Sequence, residues 1–111
     1  KTGKLSQAKE AFERAIAVDT DLAEAHNNLG SVFAARGDLP RAAMHYAHAV
    51  RINPEYAEAF NNLGTMNARR GKLDRAQRCY ERAIEIDPDY QEAHDNLRRL
   101  TKLRAAAQRS G

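Results

Sequence analysis

A repeat of 34 residues runs through the sequence and constrains its fold more than any other feature. Residues 23–56 align with residues 57–90 without gaps, and 18 of the 34 positions are identical. A period of about 20 to 50 residues is typical of proteins that stack copies of one small unit, because a single copy cannot bury its apolar face. The sequence therefore predicts an array of stacked units that needs no single central core.

The register of the repeat continues on both sides of these two copies. Gly3 and Phe12 match Gly37 and Tyr46 one period later, and residues 92–97 match the beginning of each full copy. We therefore predict one array over residues 1–111. It consists of the C-terminal half of a truncated repeat (1–22), two full repeats (23–56 and 57–90), and a terminal capping helix with a basic tail (91–111).

The apolar pattern within each copy predicts two helices and no strand. Apolar residues recur at spacings of four and three, which places them on one face of a helix. In the first helices this stripe consists of Ala25, Leu29 and Val32, then Ala59, Leu63 and Met66, then Ala93, Leu97 and Leu100. The predicted helices span residues 4–18, 23–36, 39–52, 57–70, 73–86 and 91–107, so the fold class is all-α.

Glycine and proline mark the turns between these helices. Gly37 and Gly71 follow the first helix of each full copy, where a left-handed glycine ends a helix at no steric cost. Asn53 and Asp87 each precede a proline at the end of a copy. This pair is typical of a capping side chain followed by a proline in the first turn of the next helix.

Two further glycines, Gly30 and Gly64, lie inside predicted helices. A glycine in a helix interior costs about 1 kcal/mol relative to alanine. We therefore expect each of them to accommodate an aromatic ring of the partner helix.

The charge distribution indicates a nearly neutral array with a basic end. The chain carries 18 Lys and Arg against 15 Asp and Glu, a formal net charge of +3. Five of the basic residues and none of the acidic ones lie from Arg98 onward. The excess of positive charge therefore does not by itself indicate a nucleic-acid partner.

Neither a membrane segment nor a disulfide is expected. The sequence has no apolar run of about 18 residues and no basic-then-apolar leader, so neither a transmembrane helix nor an export signal is indicated. Cys79 is the only cysteine, which rules out an internal disulfide. The default expectation is a soluble cytoplasmic protein.

The positions that recur in the two full copies resemble those of a known family. Asn-Asn-Leu-Gly is followed by Gly seven residues on, Ala five residues later, then Tyr, Ala and finally Pro. This spacing is similar to that of the tetratricopeptide repeat, and the resemblance covers essentially the whole chain. It implies an α-solenoid of antiparallel helix pairs, coiled into a right-handed superhelix whose first helices line a concave groove. It also implies a protein or peptide partner, held in that groove as an extended segment or a helix.

The candidates for ligand contact are polar residues on the first helices, away from the apolar stripe. They are Glu24, Asn27, Asn28 and Ser31 in the first full copy, Glu58, Asn61, Asn62 and Thr65 in the second, and Glu92, Asp95, Asn96 and Arg99 in the last.

Three of these asparagines are expected to form a row along the groove. The row of Asn28, Asn62 and Asn96 resembles the asparagine ladder in the superhelix of O-linked N-acetylglucosamine transferase, which holds polypeptide substrates by their main chain. An asparagine amide offers both a donor and an acceptor, so it suits an extended main chain of any sequence. The alternative is that each asparagine only bonds the neighbouring helix or caps a turn.

Other binding functions are less favoured. Repeats of the chaperone-adaptor type resemble this chain in fold but grip a C-terminal carboxylate with cations, and here Asn27, Glu58 and Glu92 occupy such places. Nucleic-acid binding through the basic end is disfavoured by the glutamates of the groove. A second alternative is that the chain is the substrate-presenting region of a larger enzyme such as a glycosyltransferase.

Catalytic and metal-binding residues are not indicated. His45 and His48 share a helix face, but two ligands do not make a site, and no base is paired with Cys79. We therefore expect no enzymatic activity of this chain, no cofactor and no metal. His26 and His94 match Phe60 in register, which predicts that all three rings are half-buried packing groups.

Two positions depart from the pattern. Asn67 stands where the family usually has a bulky aromatic and where the preceding copy has Phe33. Either its amide bonds a backbone group or water, or it is a polar contact for a ligand. At the N-terminal end, the truncated repeat is expected to expose Phe12 together with Ala8 and Ala15, which favours self-association.

Overall fold

The computed structural model describes residues 19–110 and contains five α-helices in that range. They are α1 (Thr20–Ala35), α2 (Leu39–Ile52), α3 (Ala57–Arg69), α4 (Leu73–Ile86) and α5 (Gln91–Ser110). Each helix packs on its neighbours in the chain, and α3 also contacts α5. No strand occurs among these residues, so the all-α prediction is confirmed. The predicted helix 4–18 and the predicted patch at Phe12, Ala8 and Ala15 lie outside the described residues.

The helix boundaries agree with the sequence pattern to within one residue, except at the end of α5, which runs to Ser110 rather than to residue 107, and at the start of α1. That helix begins at Thr20 rather than at residue 23, because the Asp19 carboxylate accepts a hydrogen bond from the backbone N–H of Leu22 at 3.2 Å. An aspartate in this position satisfies one of the free N–H groups of a helix start.

The turns between copies differ from the prediction. Asn53 accepts a hydrogen bond from the N–H of Glu55 at 3.0 Å, and Asp87 from that of Asp89 at 3.1 Å. Both side chains therefore close a local turn around the proline instead of capping the next helix, a common use of Asn and Asp. The helix α3 begins at Ala57, and its N-cap residue, Tyr56, makes no side-chain capping hydrogen bond.

The glycine predictions are confirmed. Gly37 and Gly71 have φ angles of 82° and 81°, which place them in the left-handed region after α1 and α3. Inside the helices, a Cβ built on Gly30 would lie 2.7 Å from the Tyr46 ring, and one on Gly64 would lie 2.8 Å from the Tyr80 ring. The absence of a side chain at Gly30 and Gly64 thus lets a tyrosine lie directly on the backbone of the first helix.

The core between the helices of a copy consists of alanines and one tyrosine. Tyr80 is 3% exposed and packs with the buried residues Ala76 and Leu100. Its hydroxyl lies 3.0 Å from the hydroxyl of Thr65, and the Tyr46 and Ser31 hydroxyls form the same contact at 2.9 Å. These contacts set the position of each first helix relative to its second helix, and hence the position of the polar residues on the first helices.

The apolar stripe is buried on α3 and exposed on α1. Met66 is 4% exposed and packs against Ala43 and Tyr46 of α2. The matching residues Leu29 and Val32 are 42% and 44% exposed. The difference arises because α2 covers that side of α3, whereas no described helix precedes α1.

Candidate functional site

The polar sides of α1, α3 and α5, here called the first-helix groove, are joined by hydrogen bonds between asparagines. Asn62 Nδ2 donates to Asn27 Oδ1 at 3.1 Å, which joins α3 to α1. Asn96 Nδ2 donates to Asn61 Oδ1 at 3.0 Å, which joins α5 to α3. The same bond is therefore made at both junctions between first helices in the described part of the chain.

The acceptors of these bonds are buried. Asn27 is 4% exposed and Asn61 is 1% exposed. Both amides lie in the seam between adjacent first helices rather than on the exposed surface of the groove, and contact of Asn27 and Asn61 with a ligand stays a prediction. Their role in this structure is to satisfy the polar groups of that seam, as buried amides must.

A tyrosine completes each seam. Burial raises the pKa of Tyr90 to about 12, the neighbouring Glu92 and Glu58 add to the rise, and a hydrogen bond with Asn61 opposes it. Burial, Glu58 and Glu24 likewise raise the pKa of Tyr56, and a hydrogen bond with Asn27 opposes the rise. Both phenols thus stay neutral at physiological pH and can remain part of a hydrogen-bonded seam.

The predicted ladder residues are reachable from the groove to different degrees. The Asn28 side chain is exposed and makes no hydrogen bond with any described residue, while Asn62 and Asn96 are half-buried. Asn96 also accepts a hydrogen bond from Arg99 Nη1 at 2.8 Å. Because an amide group has two N–H donors, Asn62 and Asn96 each retain one N–H after bonding the neighbouring helix. Contact of this row with a ligand stays a prediction.

The other predicted residues lie in two rows across the first helices, one at their first turns and one a turn beyond the asparagines. Glu24, Glu58 and Glu92 are exposed near the first turns. The hydroxyls of Ser31 and Thr65 are already paired with tyrosines, and Arg99 occupies the matching position on α5.

Asp95 stands where the preceding copies have the buried asparagines. It is half-buried, and hydrogen bonds from Gln91 and Arg98 lower its pKa. Both partners are on its own helix, at 3.0 and 2.9 Å, so the carboxylate is engaged within α5.

A depression of about 350 Å³ lies between α3 and α5 in this groove. Its lining includes three of the predicted residues, Thr65, Asn96 and Arg99. It also includes Arg69 and Leu103, which the sequence reasoning missed. Both follow a predicted residue at a spacing of four, so extending the helical pattern by one turn finds them. Glutamates at one edge and arginines at the other give the groove opposite charges along the helix axes.

The seam predicts different costs for two substitutions in the same row. Asn62→Ala removes the donor to Asn27 and leaves a buried carbonyl unpaired, which is expected to cost about 1–3 kcal/mol of unfolding free energy. Asn28 is exposed and its side chain makes no such bond, so Asn28→Ala is expected to change the unfolding free energy by less than about 0.5 kcal/mol. Urea denaturation of both variants measures the difference, and equal stabilities would contradict the assigned role of the seam.

Three of the four histidines, His26, His45 and His48, pack against one another as rings. His26 is half-buried, and its ring centroid lies 5.3 Å from that of His45 and 5.1 Å from that of His48. Burial and these two neighbours lower the pKa of His26. Within residues 19–110 no group of three or more His, Cys, Asp or Glu side chains is arranged to hold a metal ion.

Comparison with known proteins decides the family. A family model described as "Tetratricopeptide repeat" matches residues 21–89, and a second, described as "TPR repeat", matches residues 1–35. The chain belongs to the tetratricopeptide repeat family. No curated protein matches this chain.

Two solved structures of tetratricopeptide repeat domains are similar to this chain. One is described as the first TPR of Spaghetti (RPAP3) bound to HSP90 peptide SRMEEVD, with a TM-score of 0.73 and 25% sequence identity. The similarity covers 94% of this chain and 82% of that one. The other is an NMR structure of the first TPR domain of human RPAP3, with a TM-score of 0.75, 24% identity, and coverage of 99% and 87%. The predicted family and fold are thus confirmed. Among the described residues no helix of this tetratricopeptide array is long and apolar enough to cross a membrane.

Proposed function

We propose that this tetratricopeptide array is a protein-interaction module that binds an extended polypeptide segment in the first-helix groove, with asparagine side chains contacting the ligand main chain. The observation that carries the proposal is the bond from Asn62 to Asn27, repeated from Asn96 to Asn61. This bond restrains an amide of the row before any ligand arrives. A restrained amide loses less conformational entropy on binding than a mobile one.

The spacing of the row fits an extended chain. Packed helices lie about 8–10 Å apart, and an extended chain advances about 3.3 Å per residue. Successive asparagines of the row would therefore meet about every third residue of the ligand. Since each contact is to the main chain, the groove would accept many sequences.

The charges of the groove suggest the composition of the ligand. In an extended segment, successive side chains point to opposite sides. One set would face Glu24, Glu58 and Glu92, and the other would face Arg69 and Arg99. We propose a segment with basic residues on the first side and acidic residues on the second. The related RPAP3 domain binds the acidic peptide SRMEEVD, but the three exposed glutamates of this groove would repel such a peptide.

The proposal is tested with peptides selected from a random 12-residue display library on the wild-type protein. For the best binder, Asn28→Ala is expected to raise Kd about 2- to 10-fold, the effect of losing one hydrogen bond. Methylating single backbone nitrogens of the peptide should weaken binding with a period of about three residues. Fluorescence anisotropy with a labelled peptide measures both effects.

Thr101→Ala is the matched control, because Thr101 is exposed on α5 and its hydroxyl bonds only the Leu97 carbonyl of its own helix. Its Kd should equal that of the wild type. Main-chain recognition by the row is refuted when Asn28→Ala binds as tightly as this control and the methylated peptides bind as tightly as the parent. A display selection that yields no binder to the groove would contradict the peptide-binding function itself.

A further inference from the structure

A second depression, here called the α2–α4 groove, lies on the other side of α3 and has a volume of about 560 Å³. Its lining residues are Pro40, Ala43, Met44, Ala47, Phe60, Leu63, Asn67, Arg70, Arg75, Arg78 and Cys79. At about 100° per residue, Phe60, Leu63 and Asn67 point roughly opposite to Asn62 and Thr65 on α3. The two grooves are therefore separate surfaces.

The α2–α4 groove exists because two side chains are small. In the preceding copy, the rings of Phe33 and His45 stack with centroids 5.4 Å apart and an interplanar angle of 2°. The matching residues in the next copy are Asn67 and Cys79, where Asn67 Nδ2 lies 3.9 Å from Cys79 Sγ. An amide and a thiol fill less space than two stacked rings, which leaves the floor of the groove open.

The rim of the α2–α4 groove is positively charged. Arg70, Arg75 and Arg78 are exposed, and none of them forms a salt bridge with a described residue, although Asp74, one turn before Arg78 on α4, interacts electrostatically with Arg78. The opposite wall, α2, contains no aspartate or glutamate. No acidic residue is among the lining residues, so the arginine charges are not neutralised within the groove.

The following copy shows what an acidic residue does at this place. Arg104 is one period after Arg70, and it donates hydrogen bonds to Asp74 at 2.7 Å and to Gln77 at 3.3 Å. One period before Asp74 and Gln77, at the places that would face Arg70, the sequence has Pro40 and Ala43. Arg70 thus has an apolar wall where its counterpart has a carboxylate.

We propose that the α2–α4 groove binds an amphipathic helix of a partner protein that carries aspartate or glutamate beside its apolar face. The apolar face would pack on Met44, Phe60 and Leu63, of which Met44 is 46% exposed and flexible enough to adapt to different side chains. The carboxylates would pair with the rim arginines, for which Asp74 and Arg104 provide the geometry.

A helix fits this surface better than an extended segment. The one amide side chain of the lining, Asn67, is 6% exposed and bonds Cys79, so it is scarcely accessible to the main chain of an occupant. The backbone N–H and C=O groups of an extended segment that face the apolar wall would lack partners, whereas a helix satisfies its own. A helix lying between α2 and α4 also meets the usual requirement for packing ridges of side chains into a groove.

Cys79 provides a local reporter for the test, since it lines the groove and is the only cysteine. The probe is a synthetic 18-residue helical peptide with leucines at spacings of three and four and glutamates on both sides of that stripe. Saturating peptide is expected to slow the reaction of Cys79 with a disulfide reagent at least 10-fold. Because burial raises the pKa of Cys79, the reaction is followed at about pH 9.

Charge-reversal variants test the rim. Arg75→Glu/Arg78→Glu should raise the Kd of the peptide at least 10-fold, whereas Lys102→Glu/Arg109→Glu, with the same change in net charge on α5, should leave it within about 2-fold. Asn28→Ala should have no effect, which separates this site from the first-helix groove. Circular dichroism of each variant confirms that it is folded.

Each of four results would overturn the proposal. They are an unchanged rate of Cys79 modification, equal Kd values for the two double variants, equal binding of a peptide with lysine in place of glutamate, and equal binding of a peptide whose helix is broken by two prolines. Light scattering distinguishes a further outcome. Self-association that protects Cys79 without peptide would identify a second copy of the chain as the occupant instead.

Discussion

Tyr80→Ala is expected to lower the free energy of unfolding by about 3–5 kcal/mol, the usual cost of truncating a large buried aromatic side chain to alanine. Tyr80 is 3% exposed, its ring lies on the backbone of Gly64, and it packs with Ala76 and Leu100. Truncation would leave a cavity at the contact of three helices, α3, α4 and α5. Urea denaturation followed by circular dichroism measures the loss.

Tyr80→Phe is the matched control for this change. It removes only the hydroxyl that lies 3.0 Å from the Thr65 hydroxyl, so the expected loss is about 1 kcal/mol. If Tyr80→Ala were no less stable than Tyr80→Phe, the ring would not be the main support of this copy.

Gly64 allows a further check of the same contact. A methyl group on Gly64 would lie 2.8 Å from the Tyr80 ring and 3.2 Å from the carbonyl oxygen of Ala76. In the wild type, Gly64→Ala should therefore destabilise despite the better helix propensity of alanine. In the Tyr80→Ala background the ring is gone and only the approach to the Ala76 carbonyl remains, so the same change should be less destabilising than in the wild type. A double-mutant cycle measures the coupling.

Asn61→Asp is expected to destabilise the protein by about 3–5 kcal/mol at neutral pH, since it places a carboxylate at a residue that is 1% exposed. Glu58 and Glu92 raise the pKa of Tyr90, which hydrogen-bonds with Asn61, so both carboxylates would repel the new charge. The last copy carries Asp95 at the matching position, but there the carboxylate is only half-buried and pairs with Arg98.

The pH dependence of this variant follows from linkage. Burial raises the pKa of the introduced carboxyl above its unfolded value of about 3.9. The destabilisation relative to wild type should therefore be largest above the folded-state pKa and disappear as the pH falls below about 3.9. Unfolding free energies of the variant and the wild type at a series of pH values measure the difference. A penalty that is independent of pH would show that the side chain leaves the seam and becomes solvated.

The fold was predictable from the sequence because its determinants are local and repeated. A spacing of three and four places Ala59, Leu63 and Met66 on one face wherever a helix forms. The positive φ of Gly71 and the close approach at Gly64 each follow from the need for a residue without Cβ. A helix start that depends on one side chain, as at Asp19, was harder to place, since the competing turn at Asn53 uses the same kind of residue.

The candidate site was less predictable than the fold. Asn61 and Asn62 are adjacent and chemically identical, but their environments differ. Asn61 is buried in the seam and accepts a hydrogen bond from α5, whereas Asn62 is half-buried on the groove side and donates one to α1. Helical periodicity separates them by about 100°, but it does not say which of the two faces the next first helix. Likewise, the amino acid at Asn67 was recognised as unusual, but the open groove beside it needed the positions of α2 and α4.

The order of amino acids in this chain was sufficient to establish the repeat, the helix pairs and the family, because those depend on contacts within one copy and its nearest neighbour. The assignment of each polar side chain to a seam, to the first-helix groove or to the α2–α4 groove required three-dimensional coordinates. It depends on the distance and crossing of first helices that are 34 residues apart. These follow from the packing of Tyr46 on Gly30 and Tyr80 on Gly64 within each copy and of Met66 on Tyr46 between copies.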